Sequence, residues 1–255
     1  MLAAERHQRI IDSLAGGGIV GTHELARALE VSAETVRRDL VDLEEAGLLE
    51  RVRGGATIRN RLTRQEPPFS ARSSIAKEAK AAIAQTAAAL AEPGMTIMID
   101  VGTTCLQVAR ALTSSFQGLV VTCSLPAATE LAGVRGIDVI LSGGRVRSGD
   151  LALSNHHAVA FFQDLQPDLA FLGSGGVDAA VGLTDFHVDE VATRRVVLER
   201  AARSYVLADS SKFGTTAPHR VCSLSDFTAL ITEQAPRGDL ANSLAEAGTE
   251  VLLTP

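Results

Sequence analysis

Residues 31–56 read VSAETVRRDLVDLEEAGLLERVRGGA, and this stretch decides the fold of the first part of the chain. Val36, Leu40 and Leu43 recur at helical spacing, which predicts one buried stripe on an amphipathic helix. Ser32 is suited to cap the first turn of this helix, and Gly47 is suited to end it in a left-handed conformation. The stretch therefore begins with a helix that has a polar front end.

A short alternating segment follows the helix, carries Arg51 and Arg53, and turns at Gly54-Gly55. A helix with a threonine and two arginines in its opening turns, followed by an arginine-bearing hairpin, is typical of a winged helix-turn-helix on DNA. An ordinary surface helix with solvated charges is the alternative that this stretch leaves open.

The whole chain sets limits on its class. With 255 residues, of which 46% are hydrophobic, it can bury a substantial core, and we expect two unequal domains. The formal net charge of −6 argues against wholesale attachment to nucleic acid or to an anionic membrane, so any DNA contact must be local. The three cysteines lack CxxC spacing, which favours a reducing cytoplasm over a disulfide framework or a zinc cluster. We expect no export signal, membrane span, cofactor or metal.

The segment ahead of residue 31 predicts two further helices. The first spans Glu5–Ala15, a short strand follows at Ile19-Val20, and the second helix begins at Thr22, which is expected to cap it, and ends near Glu30. Only a tight turn separates this second helix from the helix that follows. That arrangement is typical of a helix-turn-helix whose second helix enters the major groove.

Charge placement is more informative than charge total. Residues 1–60 contain eight arginines and ten acids, whereas residues 51–64 contain five arginines and no acid. Positive charge is therefore concentrated on the wing and on the start of a linker, where phosphates or a minor groove would be met. A flexible, solvated linker explains the last three of these arginines equally well.

The motif Val31-Ser32-x-Glu34-Thr35-Val36-Arg37-Arg38-Asp39-Leu40, with Leu43-Glu44-x-x-Gly47-Leu48-Leu49 and Val52-Arg53-Gly54-Gly55-Ala56, resembles the DeoR family of bacterial transcriptional regulators. That family often has histidine where Arg53 stands, a change that still allows a phosphate contact. The resemblance implies that the polar side of the second helix faces DNA. The residues predicted to contact DNA are Thr22, Ser32, Glu34, Thr35, Arg37, Arg38, Arg51, Arg53, Gly54 and Gly55.

The predicted fold class is α/β, with a small N-terminal winged helix-turn-helix domain and a larger sensor domain built on a mostly parallel sheet. We expect the first domain at residues 1–59, a linker at 60–74 that Pro67-Pro68 keeps extended, and the effector-sensing and oligomerisation domain at 75–255. After residue 74, apolar strands alternate with helices, which indicates a parallel sheet covered on both faces. The predicted strands are centred on residues 97–99, 119–121, 138–141, 169–172, 205–207, 230–231 and 251–253.

Ligands of such sheets bind at the carboxyl ends of the strands. The segment 100–104, Asp-Val-Gly-Thr-Thr, follows a strand and opens a helix, so its backbone N–H groups and hydroxyls are suited to hold a phosphate. Asp178 is suited to accept sugar hydroxyl protons, and Lys212 is suited to neutralise a phosphate. Tight turns and a solvated lysine explain any single loop, but four such loops favour a polyhydroxy phosphate site. The predicted effector-binding residues are Asp100, Gly102, Thr103, Thr104, Gly143, Gly144, Gly175, Asp178 and Lys212.

The resemblance extends over essentially the whole chain. It implies a sensor domain with the fold of ribose 5-phosphate isomerase that binds phosphorylated sugars or related metabolites. Arg72 and Lys80 resemble the family's hinge and first sensor helix, and no ligand role is assigned to them. The family often has a glycine where residues 153–157, Leu-Ser-Asn-His-His, stand here, so His156 and His157 either touch a ligand or a metal or begin a solvated helix. Gly182–Asp185 is expected to form a turn beside the pocket, and Glu190 to be an acid near a helix cap.

Two functions compete. The favoured one is a regulator that binds double-stranded operator DNA as a homodimer or homotetramer, represses a sugar or related carbon-catabolic operon, and is released by a phosphorylated sugar-type effector. The alternative is an enzyme similar to a sugar-phosphate isomerase, in which Asp178 moves protons. Because a winged helix has no use in simple isomerisation, the regulator is favoured.

Overall fold

The computed structural model describes residues 2–14, 19–45, 48–52, 54–57, 66–112 and 116–255. The N-terminal part forms the predicted winged helix-turn-helix. Its elements are α1 (Ala3–Leu14), β1 (Ile19–Gly21), α2 (Thr22–Ala28), α3 (Ala33–Glu45), β2 (Glu50–Val52) and β3 (Gly55–Thr57). The expected stop of α3 at Gly47 lies outside the described residues.

The three N-terminal helices share one core. Val36, Leu40 and Leu43 of α3 are buried, and they pack in the same cluster as Ile10 of α1 and Leu25 of α2. The predicted stripe is therefore confirmed. The wing is a three-stranded antiparallel sheet in the order β1-β3-β2, so the strand before α2 and the hairpin after α3 close the domain together.

Residues 60–65 of the predicted linker lie outside the described residues, and the described part, residues 66–74, is not extended throughout as predicted. Residues 66–68 are irregular, but α4 (Phe69–Ser74) follows, with Pro68 as its N-cap residue, and α5 (Lys77–Ala88) comes next. Two prolines directly ahead of a helix break no helical hydrogen bond, because N–H groups there have no intrahelical acceptor. The prolines mark the start of α4 rather than excluding it.

A seven-stranded sheet forms the centre of the larger domain. Its strands are β4 (Thr96–Ile99), β5 (Gly118–Thr122), β6 (Ile137–Leu141), β7 (Leu169–Leu172), β10 (Arg203–Leu207), β12 (Ala229–Thr232) and β13 (Glu250–Leu253). They lie in the order β13-β12-β10-β7-β4-β5-β6, and every neighbouring pair is parallel. All seven predicted strands are confirmed.

Helices cover both faces of this sheet. They are α6 (Thr103–Ala111), α7 (Leu125–Leu131), α8 (His156–Gln163), α9 (Val188–Arg200) and α10 (Gly238–Ala247). On β4, Ile97 and Ile99 pack in one core cluster while Met98 packs in another, as the two-residue period of a strand requires. Within the described ranges, no helix is long and apolar enough to cross a bilayer.

A second sheet was not predicted. Three short strands, β8 (Gly176–Asp178), β9 (Gly182–Asp185) and β11 (His219–Cys222), pair antiparallel in the order β11-β9-β8. The expectation of a turn at Gly182–Asp185 was wrong, since all four residues are buried in a strand. Strands of the main sheet that are equally short were predicted because they are apolar runs, whereas Gly176–Asp178 and Gly182–Asp185 contain one apolar side chain each.

Candidate functional site

The start of α3 presents a polar, exposed surface. The Ser32 hydroxyl accepts the Thr35 backbone N–H at 3.0 Å, which confirms the predicted cap. Arg38 is 80% exposed, and Arg37 pairs with Glu34 at 3.1 Å in an exposed ion pair. Because such pairs contribute only about 0–1 kcal/mol, both guanidinium groups are available to phosphates or base edges.

The wing depends on its two glycines. Gly54 has a φ of +88°, and a Cβ on Gly55 would lie 2.2 Å from the Val20 carbonyl oxygen, so the hairpin packs on β1 only with glycine there. The Gly54 carbonyl accepts the Thr22 N–H at 2.8 Å. Thr22 was expected to cap α2, but the N-cap residue is Gly21 and no side chain caps this helix. Thr22 joins helix to wing instead.

The helix α3, which was predicted to enter the major groove and is called the recognition helix below, borders one groove of about 370 Å³ together with the wing. Arg51 lies on the wing side of it and is held by Glu44 at 2.6 Å. Arg53, also predicted to contact DNA, lies outside the described residues. The groove is lined by Thr22, His23, Arg37, Leu40, Arg51, Val52, Gly54 and Gly55.

A buried carboxylate fixes α3 against α1. Asp39 accepts from Arg6 at 2.5 and 2.8 Å and lies 3.0 Å from His7 Nε2. Burial alone would raise the pKa of Asp39, but the hydrogen bonds from Arg6 and His7 outweigh it and lower that pKa below its ordinary value. His7, Asp39 and Asp42 lie close enough to hold a metal ion, yet the Arg6 guanidinium already occupies both Asp39 oxygens. We interpret this cluster as an interhelical clamp.

The larger domain has a polar pocket at the carboxyl ends of its central strands, which we call the sensor pocket. Its lining includes Gly102–Cys105 after β4, Gly173-Ser174 after β7 and Lys212 after β10. The free space inside it is about 30 Å³. That is on the order of two waters, since one buried water needs roughly 10–15 Å³ by this measure.

The N-terminus of α6 opens into this pocket. The N-cap residue, Gly102, has a φ of +113° and offers no side chain, and the first helical bond runs from the Leu106 N–H to the Gly102 carbonyl at 3.0 Å. The N–H groups of Thr103 and Thr104 therefore have no intrahelical acceptor and lie in the pocket lining. Such a helix end attracts an anion.

Four cations line the same pocket: Arg194, which is bonded to buried acids, and Arg72 from α4, Lys80 from α5 and Lys212. Lys80 is 5% exposed, and its ammonium donates to the Arg72 carbonyl at 2.6 Å. Burial, opposed by the charge of Asp209 and aided by those of Lys212 and Arg72, lowers the pKa of Lys80 to about 8. A bound polyanion would relieve this repulsion.

A buried ion network supports the pocket from the other side. Arg194, 2% exposed, donates to Asp100 at 2.5 Å, to Glu190 at 3.2 Å and to Asp185. Burial would raise the pKa of Asp185, but Arg194 outweighs it and lowers that pKa. Asp100 also accepts the Gly173 N–H at 3.0 Å, which ties β4 to the end of β7. Arg194 thus holds three separate segments together.

Arg147 extends this network to the loop after β6. It contacts Asp150, with one hydrogen bond of 3.1 Å, and also contacts Glu190. Burial first, and then the charge of Asp185, raises the pKa of Glu190 to about 8, although Arg194 and Arg147 oppose the shift. Glu190, expected near a helix cap, lies in the first turn of α9 as predicted; it is also buried and lines the pocket.

The predicted effector residues divide into two sets. Gly102, Thr103, Thr104 and Lys212 lie in the pocket lining. Asp100 lies behind it, bonded to Arg194. The four of these residues that lie between 100 and 104 follow β4 and Lys212 follows β10, and the sheet brings these two strand ends to one edge.

The described lining does not include Gly143, Gly144, Gly175 or Asp178. Asp178 accepts the N–H groups of Ala180 and Val181 at 2.9 and 3.1 Å, so its carboxylate stabilises the turn between β8 and β9. Gly143 and Gly144 have φ values of +77° and +94° and form the turn after β6. A Cβ on Gly175 would lie 2.9 Å from Asp185 Cα, so this glycine permits the close approach of β9.

The segment 153–157 also lies away from the described pocket lining. Asn155 caps α8 by accepting the N–H groups of His157 and Ala158 at 2.9 and 3.3 Å. His156 and His157 are exposed, with ring centroids 3.9 Å apart. Of the two alternatives, the structure favours an exposed helix start.

Sequence reasoning missed several pocket residues. Arg72 and Lys80 were noted but given no ligand role, and Glu66, Asp185 and Arg194 were not considered as ligands. One signal existed, the i,i+4 spacing of Glu190 and Arg194, but such pairs are usually exposed. Only the packing of α9 against the sheet buries this pair.

An exposed arginine-bearing recognition helix and wing, joined to an α/β domain with a polar pocket, define a DNA-binding transcriptional regulator with a sensor domain. Residues 6–61 match the DeoR-like helix-turn-helix domain, and residues 75–234 match the DeoR C terminal sensor domain. The chain belongs to the DeoR family of transcriptional regulators.

Individual relatives agree with this family. The chain is 34% identical over 248 residues to the glycerol-3-phosphate regulon repressor of Haemophilus influenzae, covering 97% of this chain and 96% of that protein. It is 31% identical over 253 residues to the HTH-type transcriptional regulator GolR of Listeria innocua, covering 98% of each. A solved ribose 5-phosphate isomerase A from Methanocaldococcus jannaschii aligns at 18% identity and a TM-score of 0.39, over 54% of this chain and 55% of that one. This last likeness is too distant to carry an argument about function.

Proposed function

We propose that this regulator represses a sugar or related carbon-catabolic operon, and that a phosphorylated sugar or polyol bound in the sensor pocket releases it from operator DNA. The relative from Haemophilus influenzae bears the name of a glycerol-3-phosphate regulon repressor, which supports a small phosphorylated polyol as the class of effector.

One observation carries the proposal: the uncapped N-terminus of α6 shares a pocket with Arg72, Lys80 and Lys212. A helix N-terminus and three cations suit a phosphate dianion. Asp185 and Glu190 line the same pocket and can accept hydrogen bonds from hydroxyl groups. A molecule with a phosphate at one end and hydroxyls at the other matches both groups of residues.

On the DNA side, we propose that α3 lies in the major groove and that the wing contacts the backbone. The protein acts as a homodimer or homotetramer, because two DNA-binding domains must meet operator half-sites spaced in multiples of roughly 34–36 Å. The effector changes that spacing through the sensor domain. A coupling of about 1–3 kcal/mol corresponds to a release of roughly 5- to 150-fold.

The DNA assignment is tested by mobility shift on the region upstream of the protein's own gene, at fixed salt. We expect Arg37→Ala or Arg38→Ala to weaken binding by roughly ten-fold or more, since a base-specific arginine contact discriminates by about 1–3 kcal/mol. The matched control is Arg110→Ala, an exposed sensor-domain arginine paired with Glu130, which should bind as wild type does. Unchanged affinity in both recognition-helix variants would refute the assignment.

The effector site is tested with glycerol 3-phosphate as the first probe, alongside other sugar phosphates. Thr103→Val and Lys212→Met should keep operator affinity but lose effector-dependent release. If both variants respond as wild type does, the phosphate does not bind at α6.

We propose that the chain is not an enzyme. An isomerase needs a carboxylate free to move protons on the substrate, whereas Asp178 already caps a turn. Ribose 5-phosphate should therefore not be interconverted with its ketose by the purified protein. Turnover that disappears in Asp178→Asn would overturn this conclusion.

A further inference from the structure

Glu66 occupies the sensor pocket together with the cations assigned to the effector. Its carboxylate contacts Arg72 at 2.8 Å and His187 at 3.4 Å, through different oxygens. The side chains of Glu66 and Arg72 are only 16% and 12% exposed. A second contact, from Arg72 Nε to the Pro67 carbonyl at 3.0 Å, holds the same segment on the guanidinium. An anion of the chain itself is therefore already paired with Arg72, one of the cations assigned to the effector.

The enclosed part of the pocket in this arrangement is too small for a whole sugar phosphate. About 30 Å³ of free space holds a few waters at most. An effector must therefore displace a part of the lining before it can reach both α6 and the buried acids.

Glu66 is the most exposed of the four acids in the described lining; Asp150, at 9% exposure, is held by Arg147. Asp185 and Glu190 lie in β9 and α9, are bonded to Arg194 and are at most 5% exposed. Glu66 instead belongs to the irregular stretch 66–68 and is more exposed than either. Its ion pair with Arg72 is partly buried, so a phosphate that takes the place of the carboxylate leaves Arg72 with a charged partner and no uncompensated charge.

We propose that the Glu66 carboxylate is a built-in competitor for the phosphate of the effector: it holds Arg72 in the closed pocket, and a phosphate that binds Arg72 displaces it. This inference rests on the proposed function, because it assumes an anionic effector at α6. It adds that the effector works by breaking a contact inside the chain.

The competitor is placed where displacement reaches the DNA-binding domain. Only eight residues, 58–65, separate Glu66 from Thr57 at the end of the wing strand β3. Release of Glu66 frees the point at which the chain leaves the sensor domain toward the wing. Effector binding and the position of the DNA-binding domain are thereby coupled through the Glu66–Arg72 ion pair.

Binding of inorganic phosphate to the full chain tests the competition by isothermal titration calorimetry. We expect Glu66→Gln to lower the apparent Kd for phosphate roughly 5- to 10-fold, because the binding-competent open pocket becomes the major state. Glu92→Gln, which removes an exposed acid from the loop between α5 and β4, is the matched control and should leave the Kd unchanged. A Kd for Glu66→Gln equal to that of wild type would overturn the proposal.

Loss of a negative charge can itself attract phosphate, so displacement needs a separate readout. Hydrogen–deuterium exchange supplies it: phosphate should increase amide exchange over residues 66–74 in the wild type, and Glu66→Gln should show the increased exchange before phosphate is added. Unchanged or decreased exchange on addition of phosphate would mean that the segment closes over the ligand, and the proposal would fail.

Failure of the proposed function and failure of the Glu66 competitor give different experimental results. If wild type and Glu66→Gln both bind neither inorganic phosphate nor glycerol 3-phosphate, the proposed function itself is wrong, and this inference falls with it. If both proteins bind phosphate equally well and exchange over residues 66–74 is unaffected, the effector site stands and only the competitor is refuted.

Discussion

Replacing Arg194 by methionine removes the group on which the buried acids of the sensor domain depend. The guanidinium is 2% exposed and donates to Asp100, Asp185 and Glu190. Methionine has a similar length and fills much of the volume, so the change removes the charge and the donors more than the packing. Three carboxyl groups then share a buried site with one cation fewer.

The expected loss of stability follows from burial. Removing one partner of a buried ion pair costs about 3–5 kcal/mol, because the remaining charge is left without compensation. For a domain of this size, 1 kcal/mol shifts the unfolding midpoint by about 2–4 °C, so the sensor domain should melt roughly 6–20 °C lower. In the wild type, Arg194 holds the pKa of Asp185 below its ordinary value. That contribution is present above the unfolded pKa of about 4 and is lost as the pH falls through the folded pKa.

Calorimetry at pH 7 and pH 5 measures both effects. The deficit of Arg194→Met should shrink at pH 5, because the abandoned carboxyl groups take up protons, and adding Asp185→Asn should recover part of the stability. Arg195→Met is the matched control, since this neighbouring arginine is exposed and donates only to the carbonyls of Val221 and Arg220. A loss below about 1 kcal/mol, or one equal to that of the control, would refute a supporting role for the network.

Three further predictions concern single positions. Burial raises the pKa of Glu190 to about 8, so the contribution of this carboxyl group to stability is present below its unfolded pKa and is lost as the pH rises through 8. In urea denaturation, Glu190→Gln should therefore lose less stability than wild type between pH 5 and 8.5, and equal losses would contradict the shift. Lys80→Met should weaken phosphate binding by roughly ten-fold. A bound anion should raise the lowered pKa of Lys80, so wild type should take up protons on binding near pH 8 and Lys80→Met should not. Calorimetry in buffers of different ionisation enthalpy measures this uptake, and uptake that persists in the variant would show that Lys80 is not in the site. Gly55→Ala should destabilise the wing by about 1–3 kcal/mol and reduce operator affinity, because its Cβ would meet the Val20 carbonyl at 2.2 Å, whereas Gly21→Ala, with a nearest contact of 3.9 Å, should fold normally by circular dichroism.

Much of the fold was readable from local pattern. The three-four spacing of Val36, Leu40 and Leu43 identifies the recognition helix, and seven apolar runs identify the strands of the parallel sheet. These features depend on periods of 3.6 and 2 residues, which lie within a single element. The short strand at Gly182–Asp185 was missed because it contains a single apolar side chain, Leu183, so no apolar run marks it.

The candidate site was only partly readable. Gly102, Thr103, Thr104 and Lys212 were found because parallel strands end at one edge, so their loops must meet. Asp178 could by its chemical type either bind a sugar hydroxyl or cap the turn that follows it, and the structure shows that it accepts the N–H groups two and three residues later. Three predicted effector glycines have backbone roles instead: Gly143 and Gly144 adopt positive φ values in a turn, and Gly175 allows the close approach of β9.

The sequence by itself determined a winged helix-turn-helix joined to a parallel α/β domain, together with the strand ends that would hold a ligand. Only the tertiary structure decided that Glu66, Arg72 and Lys80 enter the pocket, and that Arg194 lies beneath it with three acids. Hydrophobic periodicity fixes which face of an element is buried. Which charged side chains meet depends on how elements that are distant in the sequence pack together. Asp100 and Arg194 are 94 residues apart, so no local sequence pattern predicts their contact.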